Sequence, residues 1–324
     1  MKIFNRAFLK KMWKVLVACF SGFVNDNGLK LSASLAYYTV FSMAPLLLLL
    51  IGMVSIVFKN AFTTVFPEMI KVFGPAAALQ IKGMVDGLNL SGKTGIAVIS
   101  GAVTLIIGAT SMFVEIQDSL NIIWRVKAKP KRGWVKLLQN RFLSFSLIIS
   151  LGFLLLVSLV INLIVLAISH KLEHFLPGLT IWVFNGINVA LSFIVISVLF
   201  AIIFKFLPDV EIKWKDVRSG AFFTALLFMV GKYLIGLYIQ FTATSSAYGT
   251  AGSVIVILVW IYYTSAILYI GAEFTQVYAE ASGSLIQPSE YAVHVEQTEI
   301  EHVVKKLPPQ HPEIKGKLKE DEKL

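Results

Sequence analysis

Six long apolar stretches constrain this chain more than any other feature of its sequence. Each has 19 to 27 residues, which is enough for a helix to cross a hydrocarbon core of roughly 30 Å. Backbone groups inside lipid must form hydrogen bonds within their own segment, so we expect helices. The sequence therefore predicts an all-α membrane protein, a six-transmembrane-helix bundle. The predicted spans are residues 35–58, 96–114, 143–168, 181–207, 221–241 and 254–278.

The distribution of positive charge predicts the orientation of this bundle. Of the 29 Lys and Arg residues, 23 fall in the N-terminal segment, the second and fourth loops and the C-terminal segment. Five fall in the other loops, and Lys232 falls inside the fifth span. Because cytoplasmic loops carry an excess of Lys and Arg, both termini are expected in the cytoplasm. The net charge of +10 then indicates topology and attraction to anionic lipid, and not nucleic-acid binding.

The two ends of the chain differ in character from the spans. In residues 1–23, aromatic and aliphatic residues recur at near-helical spacing and basic residues fall mainly on the other side. This pattern is typical of a helix that lies along the headgroups. Residues 283–324 are charged and rich in Pro, which predicts a disordered cytoplasmic tail. Residues 1–282 are expected to form one membrane domain, and the single cysteine, Cys19, excludes an internal disulfide framework.

Ionisable residues within or beside the spans are candidate functional groups. They are Glu115, Asp118, Lys232 and Glu273. A charge in hydrocarbon costs roughly 3 kcal/mol, so it normally faces a partner, water or the bundle interior. Lys232 either snorkels towards the interface or faces an anionic group of a substrate. Glu273 either pairs structurally with Arg125, Lys205 or a backbone group on the inner side, or takes part in gating or proton coupling.

Three further features suggest a pathway or a lipid contact. The last outer loop, residues 241–253, is small, polar and uncharged, which suits close helix contacts or a segment lining a cavity. Pro45 is expected to break the first spanning helix and to free backbone groups. The loop after the second span either anchors the chain or captures an anionic headgroup. Its first basic residues are Arg125, Lys127, Lys129, Lys131 and Arg132.

Two motifs resemble enzyme signatures, but their context argues against catalysis. Residues 87–94 match the phosphate-binding pattern G-x-x-x-x-G-K-T, yet the following helix is a predicted span and the loop is predicted to face away from the cytoplasm. Residues 170–174 match H-x-x-E-H, but a zinc site needs a third protein ligand. We therefore expect no catalytic residue, no metal site and no cofactor.

Short motifs follow one another along the chain, from Asp26 and residues 31–42 to Gly271-Ala272-Glu273. Together they resemble the YihY / virulence factor BrkB family, whose members have also carried a ribonuclease BN label. The resemblance starts with Asp26 and residues 31–42 and covers about residues 10–280. Its other motifs, in chain order, are Pro45, residues 121–124, Leu207-Pro208, Trp214, Gly220-Ala221, Lys232, Tyr248-Gly249, Gly252-Ser253, Trp260 and Gly271-Ala272-Glu273. The resemblance implies a multi-pass protein of the bacterial cytoplasmic (inner) membrane with about six spans.

Two functions of different kinds fit these observations. The first is translocation or export of a lipid or an amphipathic anionic solute, with anionic lipids as partners. The residues that we expect to serve it are Tyr37, Pro45, Lys232, Tyr248 and Glu273. The alternative is a membrane scaffold or envelope-assembly factor that contacts other proteins. Ribonuclease activity is not expected, because the basic surface carries no cluster of carboxylates to hold metal.

Overall fold

The computed structural model describes residues 6–57, 95–129, 179–241, 250–296, 306 and 308–309. Within these residues the chain is mostly helical, and two pairs of short strands lie at one end of the helices. The helices are α1 (Arg6–Asn25), α2 (Gly28–Val57), α3 (Gly95–Ile123), α4 (Leu179–Phe206), α5 (Trp214–Phe241) and α6 (Thr250–Ala281). The strands are β1 (Val126–Ala128), β2 (Val210–Glu211), β3 (Gln287–Pro288) and β4 (Ala292–His294).

Five of the six predicted spans overlap α2 to α6, and the third, residues 143–168, lies outside the described residues. By length and apolar composition, Gly186–Phe206 and Trp214–Leu234 can cross a membrane. The α2 helix continues through Pro45 to Val57, so the predicted break at this proline is wrong. Spanning helices tolerate proline because neighbouring side chains and local adjustments compensate for its missing N–H group.

Helix ends are set by residues that adopt a left-handed backbone. Asn27 (φ 55°) separates α1 from α2, and its carbonyl accepts hydrogen bonds from the N–H groups of Lys30 and Leu31. Gly283 (φ 78°) follows α6. Its N–H donates to the backbone carbonyl of Glu280, and the N–H of Ser284 donates to the backbone carbonyl of Ala279. This paired bonding is the Schellman motif, and it satisfies carbonyls that the helix end would leave free.

Helices α5 and α6 pack along a seam of reciprocal glycine contacts. A Cβ placed on Gly220 would lie 1.7 Å from Thr275 Oγ1, and one placed on Gly271 would lie 1.9 Å from Thr224 Oγ1. Each threonine hydroxyl also donates to the glycine carbonyl one turn earlier in its own helix, at 2.7 Å. Only glycine leaves space for this approach, which is how helices in lipid come into close contact.

The segment after α6 pairs with two distant parts of the chain. β4 is antiparallel to β1, with Ala128 opposite Ala292, and β3 is antiparallel to β2, with Val210 opposite Pro288. The term strand end is used below for β1 to β4 together with the C-terminal ends of α3, α4 and α6 that precede them. The predicted tail boundary at residue 283 is therefore wrong for residues 287–294, whose backbone bonds to partners far away in sequence are invisible in local composition.

The chain divides into two compact units, Met1–His294 and Val295–Leu324. The first contains every helix and strand given above. Its core is formed mainly by side chains of α3 to α6 and of the segments that join them, among them Phe113, Leu120, Phe204 and Tyr269. In the second unit the structure describes only residues 295, 296, 306, 308 and 309, so the predicted disorder of its remaining residues stays a prediction.

Candidate functional site

Glu273 is a buried carboxyl on α6, near the strand end. Its side chain is 3% exposed. Among the described residues, none forms a hydrogen bond with its Oε1 atom. Leaving a buried polar atom without a hydrogen-bond partner costs about 1–3 kcal/mol, so each such atom calls for an explanation, and a functional role is one of them. This carboxyl is the centre of the candidate site.

A glycine of α1 makes room for this carboxyl. A Cβ placed on Gly22 would lie 2.6 Å from Glu273 Oε2, which is closer than real Cβ contacts allow. The backbone of α1 therefore covers the carboxyl directly, because residue 22 carries no side chain. Any larger residue at position 22 would push the Glu273 side chain away from α1.

Three charged residues surround Glu273 and come from different parts of the fold. Asp26, in the turn between α1 and α2, is the like charge with the larger effect on Glu273, and Glu280, two turns further along α6, is a second one. Arg125 supplies the opposite charge. The backbone of Arg125 is left-handed (φ 54°), in the short turn between α3 and β1. The site thus places two carboxyls and one guanidinium beside a buried acid.

Cys19 lies one turn before Gly22 on the buried face of α1. Its thiol donates a hydrogen bond to the Ile270 carbonyl of α6, at 3.3 Å. Burial raises the pKa of the Cys19 thiol to about 12, and the negative charge of Glu273 adds to this effect. A thiol is a nucleophile only as the thiolate, so Cys19 serves as packing between α1 and α6.

A second buried acid, Asp209, lies near the strand end, and both of its carboxyl oxygens accept hydrogen bonds. Gln117 Nε2 donates to its Oδ1 at 3.1 Å and Asn121 Nδ2 donates to its Oδ2 at 2.9 Å. The backbone N–H of Asp209 donates in turn to Asn121 Oδ1 at 2.9 Å. These bonds attach the segment after α4 to α3, so the arrangement is structural.

An indole group connects this network to the Glu273 site. Trp124 Nε1 donates to the carbonyl of Ala272, at 3.2 Å, and Ala272 is the residue before Glu273. The Trp124 ring also contacts Phe204 edge to face, with ring centroids 6.4 Å apart. The end of α3 therefore sets the position of the α6 turn that carries the buried carboxyl.

The structure brings together two of the residues predicted for function, Glu273 and Arg125. Lys232 is exposed on α5, beside Gly231, whose nearest contact is Tyr263 of α6. Tyr263 lies ten residues before Glu273, which is roughly 15 Å along a helix. Lys232 and Glu273 therefore lie at different levels along the helices.

The other predicted residues lie apart from this site or outside the described residues. Tyr37 is exposed on α2, where its ring contacts Tyr38 and Phe41 with centroids 5.7 and 4.6 Å away. Lys127 and Lys129 are exposed after α3. The positions outside the described residues are Tyr248, Lys131, Arg132, residues 87–94 and residues 170–174.

Sequence reasoning missed two groups of residues that the structure makes important. Gly22 gave no signal, because a lone glycine in an amphipathic helix has no distinguishing pattern. Gln117 and Asp209 gave only a weak signal in the sequence. Each is a polar residue at the end of an apolar stretch, where polar residues are common. Their pairing depends on contacts between residues 92 positions apart.

Comparison with known proteins places most of the chain in one family. The family described as "Virulence factor BrkB" matches residues 19–292. A UPF0761 membrane protein of Pseudomonas paraeruginosa is 29% identical over 258 residues, which cover 77% of this chain and 59% of the relative. A UPF0761 membrane protein of Aliivibrio salmonicida is 27% identical over 282 residues, covering 86% of this chain and 87% of the relative. No solved structure matches the chain.

Proposed function

The chain belongs to the virulence factor BrkB family and its relatives are membrane proteins, so we propose that this integral membrane protein translocates a lipid or an amphipathic anionic solute. We place it in the bacterial inner membrane with six spans, both termini in the cytoplasm and α1 along the interface. The chain spans 59% of the length of the Pseudomonas relatives. The proposal therefore concerns the segment that they share.

The observation that carries this proposal is the unpartnered oxygen of Glu273. An unpartnered oxygen alone does not mark a functional acid, since Asp216 Oδ1 is also buried without a partner among the described residues. Glu273 in addition has Asp26, Glu280 and Arg125 as charged neighbours. A transporter needs such a group, because a charge that binds and releases a proton or a substrate must be free to change partners. Arg125, which neighbours Glu273, supplies the positive charge that an anionic headgroup requires.

Transport can be tested with purified protein in vesicles. The lipid probe is a fluorescent phosphatidylglycerol, whose arrival in the outer leaflet is read by loss of fluorescence to external dithionite. The solute probe is carboxyfluorescein trapped inside separate vesicles. We expect the full-length protein to accelerate movement of at least one probe above protein-free vesicles. Equal rates with and without protein, for both probes, would remove transport of an anionic amphiphile from consideration.

A membrane scaffold for envelope assembly remains the second candidate. The Asp209 network and the two strand pairs favour it, since together they tie the ends of α3, α4 and α6 into a rigid surface. Such a surface suits stable contacts with another protein. A scaffold predicts a stoichiometric partner retained by the protein in mild detergent, together with no movement of either probe. Neither candidate function is enzymatic.

A further inference from the structure

The α1 helix has an apolar face that the part of the chain described by the structure leaves exposed. One side of α1 packs against α6, where Val15 and Cys19 meet Phe274. A different side carries four apolar residues at helical spacing, and they remain largely exposed. They are Trp13 (68% exposed), Val17 (52%), Phe20 (53%) and Val24 (69%). We call these four residues the outer stripe.

The third side of α1 is basic. Lys10 and Lys14 are one turn apart and exposed, and Ser21 continues the same side two turns later. On a helical projection this side borders the outer stripe and lies away from Val15 and Cys19. The helix contains no Asp or Glu from residue 6 to residue 25. An exposed apolar stripe bordered by lysines complements the acyl boundary and the headgroups of an anionic leaflet.

We propose that α1 is a binding site for anionic phospholipid, with the outer stripe in the acyl boundary and Lys10 and Lys14 at the headgroups. This inference names the lipid chemistry for the interfacial helix and does not rest on transport, since a scaffold would use the same contact. It also concerns the Glu273 site, because Gly22 of α1 covers that carboxyl. Lipid bound to α1 therefore holds the helix that covers Glu273.

The test compares two single-cysteine labels on the full chain in lipid nanodiscs. Val17→Cys lies in the outer stripe and Ser21→Cys lies on the basic side; both positions are exposed. Each is labelled with bimane, while the unmodified protein, whose Cys19 is buried, controls for background labelling. Quenching is measured with lipids that carry a nitroxide near the top of the acyl chain.

We expect the label at position 17 to be quenched roughly twofold more than the label at position 21, because the two positions differ in depth. This quenching should increase when anionic lipid replaces zwitterionic lipid. In the Lys10→Gln/Lys14→Gln variant, quenching at position 17 in anionic lipid should fall roughly twofold, towards the value measured in zwitterionic lipid. Circular dichroism of each variant verifies that α1 to α6 are intact.

Two results would overturn the proposal. Equal quenching at positions 17 and 21 would show that the outer stripe is not in lipid, whether water or another protein covers it. Quenching at position 17 that ignores both the anionic lipid and the two lysine substitutions would show an apolar anchor without headgroup recognition.

Discussion

Two buried carboxyls in this protein have opposite surroundings. Asp209 accepts hydrogen bonds on both oxygens from the amides of Gln117 and Asn121, whereas Glu273 Oε1 has no partner in the described part of the chain. Both side chains are nearly fully buried, at 2% and 3% exposure. Burial alone thus does not distinguish these two acids, but the hydrogen bonding of their oxygens does.

The difference follows from what each carboxyl must do. A fully bonded carboxylate fixes two elements relative to each other, and any change of its charge breaks several bonds at once. A carboxyl with a free oxygen, two like-charged neighbours and one arginine can change its charge or its partner at small structural cost. Substitution of Asp209 should therefore lower stability, whereas substitution of Glu273 should lower activity and leave stability nearly unchanged.

The largest effect is expected for Asp209→Ala. The substitution leaves the buried amides of Gln117 and Asn121 without their acceptor, and hydrogen bonds to a charged group contribute about 1.5–3 kcal/mol each. We expect a loss of roughly 3 kcal/mol, measured by thermal unfolding in detergent. Glu211→Ala, two residues away and exposed, is the control. Equal melting temperatures for the two variants would contradict a structural role for Asp209.

A smaller loss is expected for Gly220→Ala in the seam between α5 and α6. The new methyl group would collide with Thr275, whose Oγ1 lies 1.7 Å from the Cβ position, and overpacking typically costs about 1–3 kcal/mol. Gly186→Ala in α4 is a matched control, since a Cβ there meets nothing within 4 Å. The account fails at this seam if both variants melt at the same temperature.

For Glu273→Gln we expect little change in stability. The amide has nearly the same shape as the carboxyl, and Glu273 Oε1 has no hydrogen-bond partner to lose among the described residues, so a change within about 1 kcal/mol in either direction is expected. The measurement is again thermal unfolding in detergent. A loss of stability as large as that of Asp209→Ala would show that Glu273 is a structural acid and would contradict the distinction between the two carboxyls.

The smallest signal is expected from Cys19. With a thiol pKa of about 12, roughly one thiol in ten thousand is ionised at pH 8, and the ionised form is the reactive one. We expect no detectable maleimide labelling of the folded protein at pH 8 and complete labelling in denaturant. Rapid labelling of folded protein would mean that α1 does not stay packed on α6.

The sequence predicted the helices far better than it predicted the strand end. Apolar runs of about 20 residues are local signals, so α2 to α6 follow from them, although the helices extend beyond the predicted spans by up to nine residues. Glu273 was recognisable because an acid in an apolar run is rare. Its neighbours Gly22 and Asp26 are remote in sequence, and the bond from Trp124 to Ala272 joins residues 148 positions apart. Such pairings depend on tertiary packing, which no local pattern records.

The most direct test of the central claim is transport by Glu273→Gln in the vesicle assay. Glu290→Gln, an exposed acid in the turn between β3 and β4, is the matched control. The account predicts that Glu273→Gln melts like the unmodified protein but loses acceleration of the fluorescent phosphatidylglycerol or of carboxyfluorescein, while Glu290→Gln retains it. A folded Glu273→Gln protein that moves both probes at the rate of the unmodified protein would contradict the claim that this buried carboxyl takes part in transport.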